Sequence, residues 1–197
     1  GTLNAEGKNV VVIGGGDTAM DCVRTSVRQR AKSVKCLYRR DRDNMPGSVR
    51  EVGNAEEEGV EFVWLSSPKK FIGDQKVTEI EVDKMKLGEP DSSGRKRPEI
   101  QIGSEFKIPA DLVIKSLGFD PENLPKLFNA EELAVSKWGT IKIDLKSMQT
   151  NLDGVFAAGD IVRGASLVVW AIKDGRDAAE AMKKYLENIE VKKSKVA

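Results

Sequence analysis

The chain has 197 residues, 40% of them hydrophobic, with 32 basic against 31 acidic side chains, a net charge of +1 and no histidine. That length holds one large domain or one and a half small ones, and the balanced charge argues against nucleic acid or a membrane surface as partner. Without histidine, imidazole acid–base chemistry and histidine metal sites are excluded, no metal site is expected, and any reaction has to come from a cofactor.

Residues 1–7 read as a linker. A run of β-branched residues over 8–13 then breaks at Gly14, Gly15 and Gly16 into a segment with Ala19, Met20, Val23 and Val27 at helical spacing, and a second β-rich run follows at 34–38. Strand, glycine turn, helix and strand make a βαβ unit with Gly14, Gly16 and Ala19 at the G-x-G-x-x-G/A positions. Gly14 makes the tight turn, Gly16 lets backbone amides approach a pyrophosphate, and Ala19 lets the helix pack close to the strand. The phosphates then face the helix N-terminus, where Asp17 and Thr18 stand. The competing reading is a purely structural glycine turn.

An NAD site carries an acidic residue about 20 positions past the glycines, bonding the ribose 2′-hydroxyl. This chain has Arg39 and Arg40 at the end of the second strand. Guanidinium groups suit a 2′-phosphate and a carboxylate would repel it, so the pair favours NADP over NAD; the alternative is a solvated basic strand end.

Ser48 and Glu51 form a capping-box pattern that predicts a helix over 49–58, stopped by Gly59. Arg50 in its first turn is oddly placed for the helix dipole unless an anion is near; otherwise it is a tolerated surface arginine. A third strand is predicted over 60–65. Alternating segments between 68 and 107, separated by turn-rich EPDSSGRKRP, predict an antiparallel meander inserted before the next parallel strand, 111–117. Gly118 closes that strand on the side where open α/β sheets bind ligands, or is a simple turn glycine.

Further on, a short helix is expected within 121–130 and extended pieces at 138–144 and 148–150. A strand at 154–160 ends in Gly159-Asp160, and a glycine-rich connection leads to an amphipathic helix over 166–186. This is a second ligand-binding arrangement, distinct from the first. Lys192, Lys193 and Lys195 read as a frayed basic tail over 188–197. Cys22 and Cys36, with thirteen residues between them, fit neither a redox pair nor metal-ligand spacing and read as small core residues packed near each other. No run approaches the ~18 apolar residues of a membrane span and the start carries no signal-peptide pattern, so a reducing, cytoplasmic setting is expected.

The words GGGDTAMDC, YRRD, NMPGS, SLGFDP and GVFAAGDI with GASLVVWAIKDGRDAA resemble the small (beta) chain of bacterial NADPH-dependent glutamate synthase and its relatives, flavoproteins with two dinucleotide-binding domains. The resemblance reaches to about Leu186. It implies an α/β fold: a Rossmann-like parallel sheet with helices on both faces, the antiparallel meander, and a C-terminal strand and helix left from an FAD domain. The NADPH-binding domain would span 8–120 and the C-terminal part of the FAD-binding domain 121–187. By the same resemblance Gly14 to Ala19 cradle the NADPH pyrophosphate, and Arg39 and Arg40 hold its 2′-phosphate. Asp160, after Gly159, bonds the FAD ribityl chain, amides near Ser166 and Leu167 face the flavin pyrimidine edge, and Gly118 and Phe119 lie near the junction of the cofactors. No catalytic acid or base is implied, because hydride passes directly to flavin.

Members of that family begin with a cysteine-rich iron–sulfur region and an FAD glycine fingerprint. By this resemblance the chain is expected to be the C-terminal part of a longer protein, partnered by the large glutamate synthase subunit or another electron-accepting subunit; alone it is expected to lack FAD, with its C-terminal segment disordered, folded back on the NADPH domain or paired with another copy. The alternatives are the electron-transfer subunit of a ferredoxin-linked transhydrogenase, a sulfide dehydrogenase or a pyrimidine reductase, or a nucleotide-binding module without redox chemistry.

Overall fold

The computed structural model describes residues 4–90, 94, 96–118 and 120–194, the side chains of 190–194 excepted. The chain divides into two compact units, Gly1–Leu117 and Gly118–Ala197, where the sequence reading places the boundary after 120.

In the first unit the elements run β1 (Asn9–Ile13), α1 (Asp17–Arg28), β2 (Ser33–Leu37), α2 (Val49–Glu57) and β3 (Glu61–Val63). Then come β4 (Ser66–Ile72), β5 (Glu79–Pro90), β6 (Lys96–Ile100), β7 (Phe106–Pro109) and β8 (Leu112–Lys115). The parallel sheet has the order β3-β2-β1-β8. β1 is NVVVI with its last four residues buried, as a central parallel strand covered on both faces requires.

Successive side chains of a strand point to opposite faces, and the two faces are covered differently. Val10, Val12, Val34 and Cys36 pack with Ala19, Met20 and Val23 of α1 and Val52 and Ala55 of α2. Val11, Ile13 and Leu37 pack instead with Ile80 and Val82 of β5 and with Ile108 and Ala110. The α/β class with a parallel sheet and an antiparallel insertion therefore stands, but in this unit the second layer is made by the insertion, where helices are expected. β5 is its spine, pairing antiparallel with β4, β6 and β7.

The capping box at α2 forms by half. Ser48 Oγ accepts the Glu51 amide at 3.3 Å, but the Glu51 carboxylate turns to the Arg24 guanidinium on α1, because a charge-assisted bond is stronger than one to a neutral amide. Arg24 also holds Glu58 at 2.9 Å through Nε, and α2 is thereby clasped to α1.

The second unit carries α3 (Leu124–Leu127), α4 (Asp160–Arg163) and α5 (Val168–Ser194). Its buried residues include Leu133, Ile141, Met148 and Ala178, and Phe156 meets Tyr185 edge-on at 5.6 Å. Three expectations fail here. The strand at 154–160 does not form: Phe156 makes one isolated bridge to Gln149, and an extended segment without a neighbouring strand among the described residues has no ladder to join. Residues 138–144 likewise contribute only the bridge Val135–Ile141. The helix α5 starts at Val168 and continues to Ser194, through most of what reads as a frayed tail; ion pairs at four-residue spacing, Lys173–Asp177 and Lys184–Glu180, support such a helix. Lys195 lies outside the described residues.

Candidate functional site

The three glycines of the turn after β1 have separate reasons for being glycine. Gly14 has φ +148°, and a Cβ there would stand 2.2 Å from the Ser116 carbonyl oxygen at the end of β8. A Cβ on Gly15 would stand 2.4 Å from Cε2 of the Tyr38 ring. At Gly16 an added Cβ meets nothing within 4 Å, so packing does not demand glycine there and the space beside it is open.

Gly16 is the N-cap of α1 and makes no side-chain cap, and the amides of Gly15, Gly16, Asp17 and Thr18 find no acceptor among the described residues. Asp17 and Thr18 are exposed, and Ala19 is buried in the cluster between α1 and the sheet. Open space, uncapped N–H groups and a helix dipole at one turn are what an anion needs, and a pyrophosphate fits them.

A second chain segment closes on this turn. The Gly47 amide donates to the Gly15 carbonyl at 2.8 Å, and the Ser48 amide donates to Asp17 Oδ1 at 2.8 Å. The start of α2, with exposed Arg50 in its first turn, is thus fixed beside the start of α1. Among the described residues Arg50 has no ion-pair partner.

Sequence treats Arg39 and Arg40 alike, but the structure separates them. Arg39 is exposed, whereas Arg40 is 5% exposed and its Nε donates to the Lys96 carbonyl at the start of β6, at 2.7 Å. The following loop is tied down as well. Asn44 donates through its amide and Nδ2 to Asp41 at 3.0 and 2.7 Å, accepts the Lys96 amide at 3.1 Å, and its carbonyl accepts Tyr38 Oη at 3.0 Å. Arg39 lies where a ribose 2′-phosphate would have to be met.

In the second unit, Gly159 is the N-cap of α4 and Asp160 its exposed first residue. Ser166 and Leu167 are exposed just before α5. Arg163 binds Asp174 of α5 with two bonds, 2.8 and 2.5 Å, which holds α4 and the start of α5 in one frame. The Arg163 guanidinium beside Asp174 keeps its carboxyl below the usual range. Gly118 is exposed, and Phe119 lies outside the described residues.

Tyr38, Gly47, Asn44 and Lys96 are the participants that sequence reasoning misses. NMPGS marked the place, but which residue it touches depends on contacts from outside the segment.

The sequence matches the pyridine nucleotide-disulphide oxidoreductase family over residues 2–175. It is 64% identical over 185 residues to the glutamate synthase [NADPH] small chain of Azospirillum brasilense, covering 94% of this chain and 38% of that protein. With the protein of the same name from Escherichia coli strain K12 it is 50% identical over 190 residues, covering 94% and 40%. The chain thus spans about two fifths of the length of these relatives. In fold it is similar to FprA of Mycobacterium tuberculosis, solved in complex with NADPH, with a TM-score of 0.76, 19% identity, and coverage of 96% of this chain and 55% of that one. The resemblance carried by GGGDTAMDC, YRRD and NMPGS is borne out by these relatives. On the match across most of its length, the chain belongs to the pyridine nucleotide-disulphide oxidoreductase family.

Proposed function

We propose that this chain is the NADPH-binding part of a flavoprotein oxidoreductase of the glutamate synthase small-chain type, with residues 8–120 binding NADPH and 121–187 forming the C-terminal part of an FAD-binding domain. The observation that carries the reading is Gly16, whose missing side chain leaves open space beside uncapped amides while its neighbours Gly14 and Gly15 are filled. The names of the relatives at 64% and 50% identity support the same cofactor.

In this reading the amides of Gly15 to Thr18 hold the pyrophosphate, and Asp17 braces α2 against the turn rather than repelling the phosphates. Arg39 meets the 2′-phosphate, with Arg40 behind it. Asp160 and the amides near Ser166 and Leu167 serve the flavin, Gly159 allowing the backbone to reach it, and Gly118 lies near the junction of the two cofactors. When bound, the nicotinamide supplies hydride to the flavin, so no side chain of this chain has to move a proton. In the whole protein, electrons go on through iron–sulfur centres to a large subunit that forms glutamate, in the cytoplasm.

Exposed apolar residues of α5, among them Val168, Ile172, Met182 and Leu186, are the surface that the rest of the FAD-binding domain covers. Alone, the chain binds no FAD and covers this surface with a second copy.

The test is calorimetric titration of NADP+ and NAD+ into the chain and into the double variant Arg39→Ala, Arg40→Ala. One charge-assisted phosphate contact is worth about 1.5 to 3 kcal/mol, roughly tenfold or more in affinity, so the wild type should prefer NADP+ by that factor and the variant should not. Equal affinities in the wild type reject the assignment.

A further inference from the structure

We propose that Lys96, at the start of β6, is a specificity-determining residue of the 2′-phosphate site, supplied by the inserted antiparallel sheet; this rests on the NADPH reading above. The insertion is not a bystander at the cofactor end of β2. One residue of it uses both of its backbone polar groups on the segment that carries the arginines: the Lys96 carbonyl accepts Arg40 Nε at 2.7 Å, and the Lys96 amide donates to Asn44 Oδ1 at 3.1 Å. Its Cα is therefore held beside the 40–44 segment. Arg39 directly precedes Arg40 in the chain, their Cα atoms about 3.8 Å apart.

The side chain of Lys96 is exposed and has no ion-pair partner among the described residues. Three other lysines of the same sheet do have one, Lys69 with Glu105, Lys86 with Glu99 and Lys107 with Glu79, whereas Lys70 and Lys84 likewise have none among the described residues. The adjacent carboxylate of Asp41 is taken up by two bonds from Asn44. Arg40, being buried, serves to place the strand end against β6, so it is a positioning residue, while exposed Arg39 and Lys96 are the cations a phosphate dianion can reach. An ammonium on a flexible four-carbon stem can move to meet a ligand after it has docked.

The experiment uses the full 197-residue chain, with NADP+, NAD+ and 2′,5′-ADP as probes. Lys96→Met should weaken NADP+ and 2′,5′-ADP by about three- to tenfold, the range of one partly screened contact. NAD+ affinity should stay within about twofold, and Lys96→Arg should restore NADP+ binding. The deficit should shrink at high ionic strength, as an exposed charge contact does. Asn44→Ala, which removes the bond to the Lys96 amide, should also lower NADP+ affinity selectively while the circular dichroism spectrum is kept. A Lys96→Met chain that binds NADP+ like the wild type, or that loses both nucleotides equally, overturns the assignment of Lys96 alone. A wild type that does not distinguish NADP+ from NAD+ overturns the cofactor reading and this proposal with it.

Discussion

The ring of Tyr38 fills the space that a side chain on Gly15 would need, with Cε2 2.4 Å from the position a Cβ would take. Tyr38 cannot easily retreat, being 6% exposed and bonded through Oη to the Asn44 carbonyl. Gly15→Ala should therefore cost about 1 to 3 kcal/mol of stability, the range for overpacking a filled core. Urea unfolding of Gly15→Ala with and without Tyr38→Leu checks this. The second substitution should recover part of the loss, and additive effects would mean that the ring is not the obstacle.

The neighbouring glycines should fail in opposite ways. Gly14→Ala forces a positive-φ backbone and a Cβ 2.2 Å from the Ser116 carbonyl, so the expected result is misfolding or a loss of several kcal/mol. Gly16→Val, on an ordinary backbone and with nothing in the way, should cost no more than about 1 kcal/mol yet abolish nucleotide binding. Melting curves and titrations on both variants separate the two cases, and a Gly16→Val chain that still binds NADP+ would make the turn merely structural.

What could be read from the sequence, and what could not, divides by the range of the interactions. β1, α1 and β2 are legible because β-branched runs, glycines and helical spacing are local signals, and α2 is legible through Ser48. That the second face of the sheet is covered by Ile80, Val82 and Ile108 is not, since period-two alternation shows that a strand has a buried side but not what buries it. The strand expected at 154–160 fails for the same reason: its neighbours, not its residues, decide. Arg40 was readable as a cation at the right position, but its burial depends on Lys96, 56 positions away.

Glu58 sets a pH dependence. Its hydrogen bond from Arg24, reinforced by Arg28, holds the carboxyl below the usual carboxylate range against the opposing effect of desolvation. A depressed pKa contributes stability above the unfolded value of about 4.3, and the contribution is lost as pH falls through the folded value. Glu58→Gln should thus lower the melting temperature at pH 7, and the difference from the wild type should shrink as pH falls below the unfolded value and vanish once the folded carboxyl is protonated. A constant difference across that range would mean that the carboxylate's charge contributes nothing.

The thiols should behave unequally. Burial pushes the Cys36 thiol up to about 12, and it lies in the core cluster with Sγ 3.4 Å from the Gly14 carbonyl; Cys22 packs against the same cluster but is only half-buried. Because the thiolate is the reactive form, a disulfide reagent at pH 8 should leave Cys36 unmodified in the folded chain and react with both cysteines after denaturation. Rapid modification of both in the native state would show that the sheet opens readily at β2.

β1 should acquire its two neighbours on different time scales. It reaches β2 across 24 positions, as in the bond between Ser33 and Asn9, but reaches the β8 side across 102, as in the bond between Asn9 and Asp111. A roughly fourfold longer loop adds about 1.2 kcal/mol of closure entropy, so the β1–α1–β2 unit should assemble early and β8 dock late. Ile114→Val in β8 is then expected to speed unfolding with little effect on the folding rate in stopped-flow measurements. Gly14 rests against the Ser116 carbonyl just beyond β8, so the glycine turn takes its final shape only when that strand arrives. A chain growing on the ribosome would present the fingerprint well before the phosphate cradle is finished, because the cradle waits for the residues around Ser116.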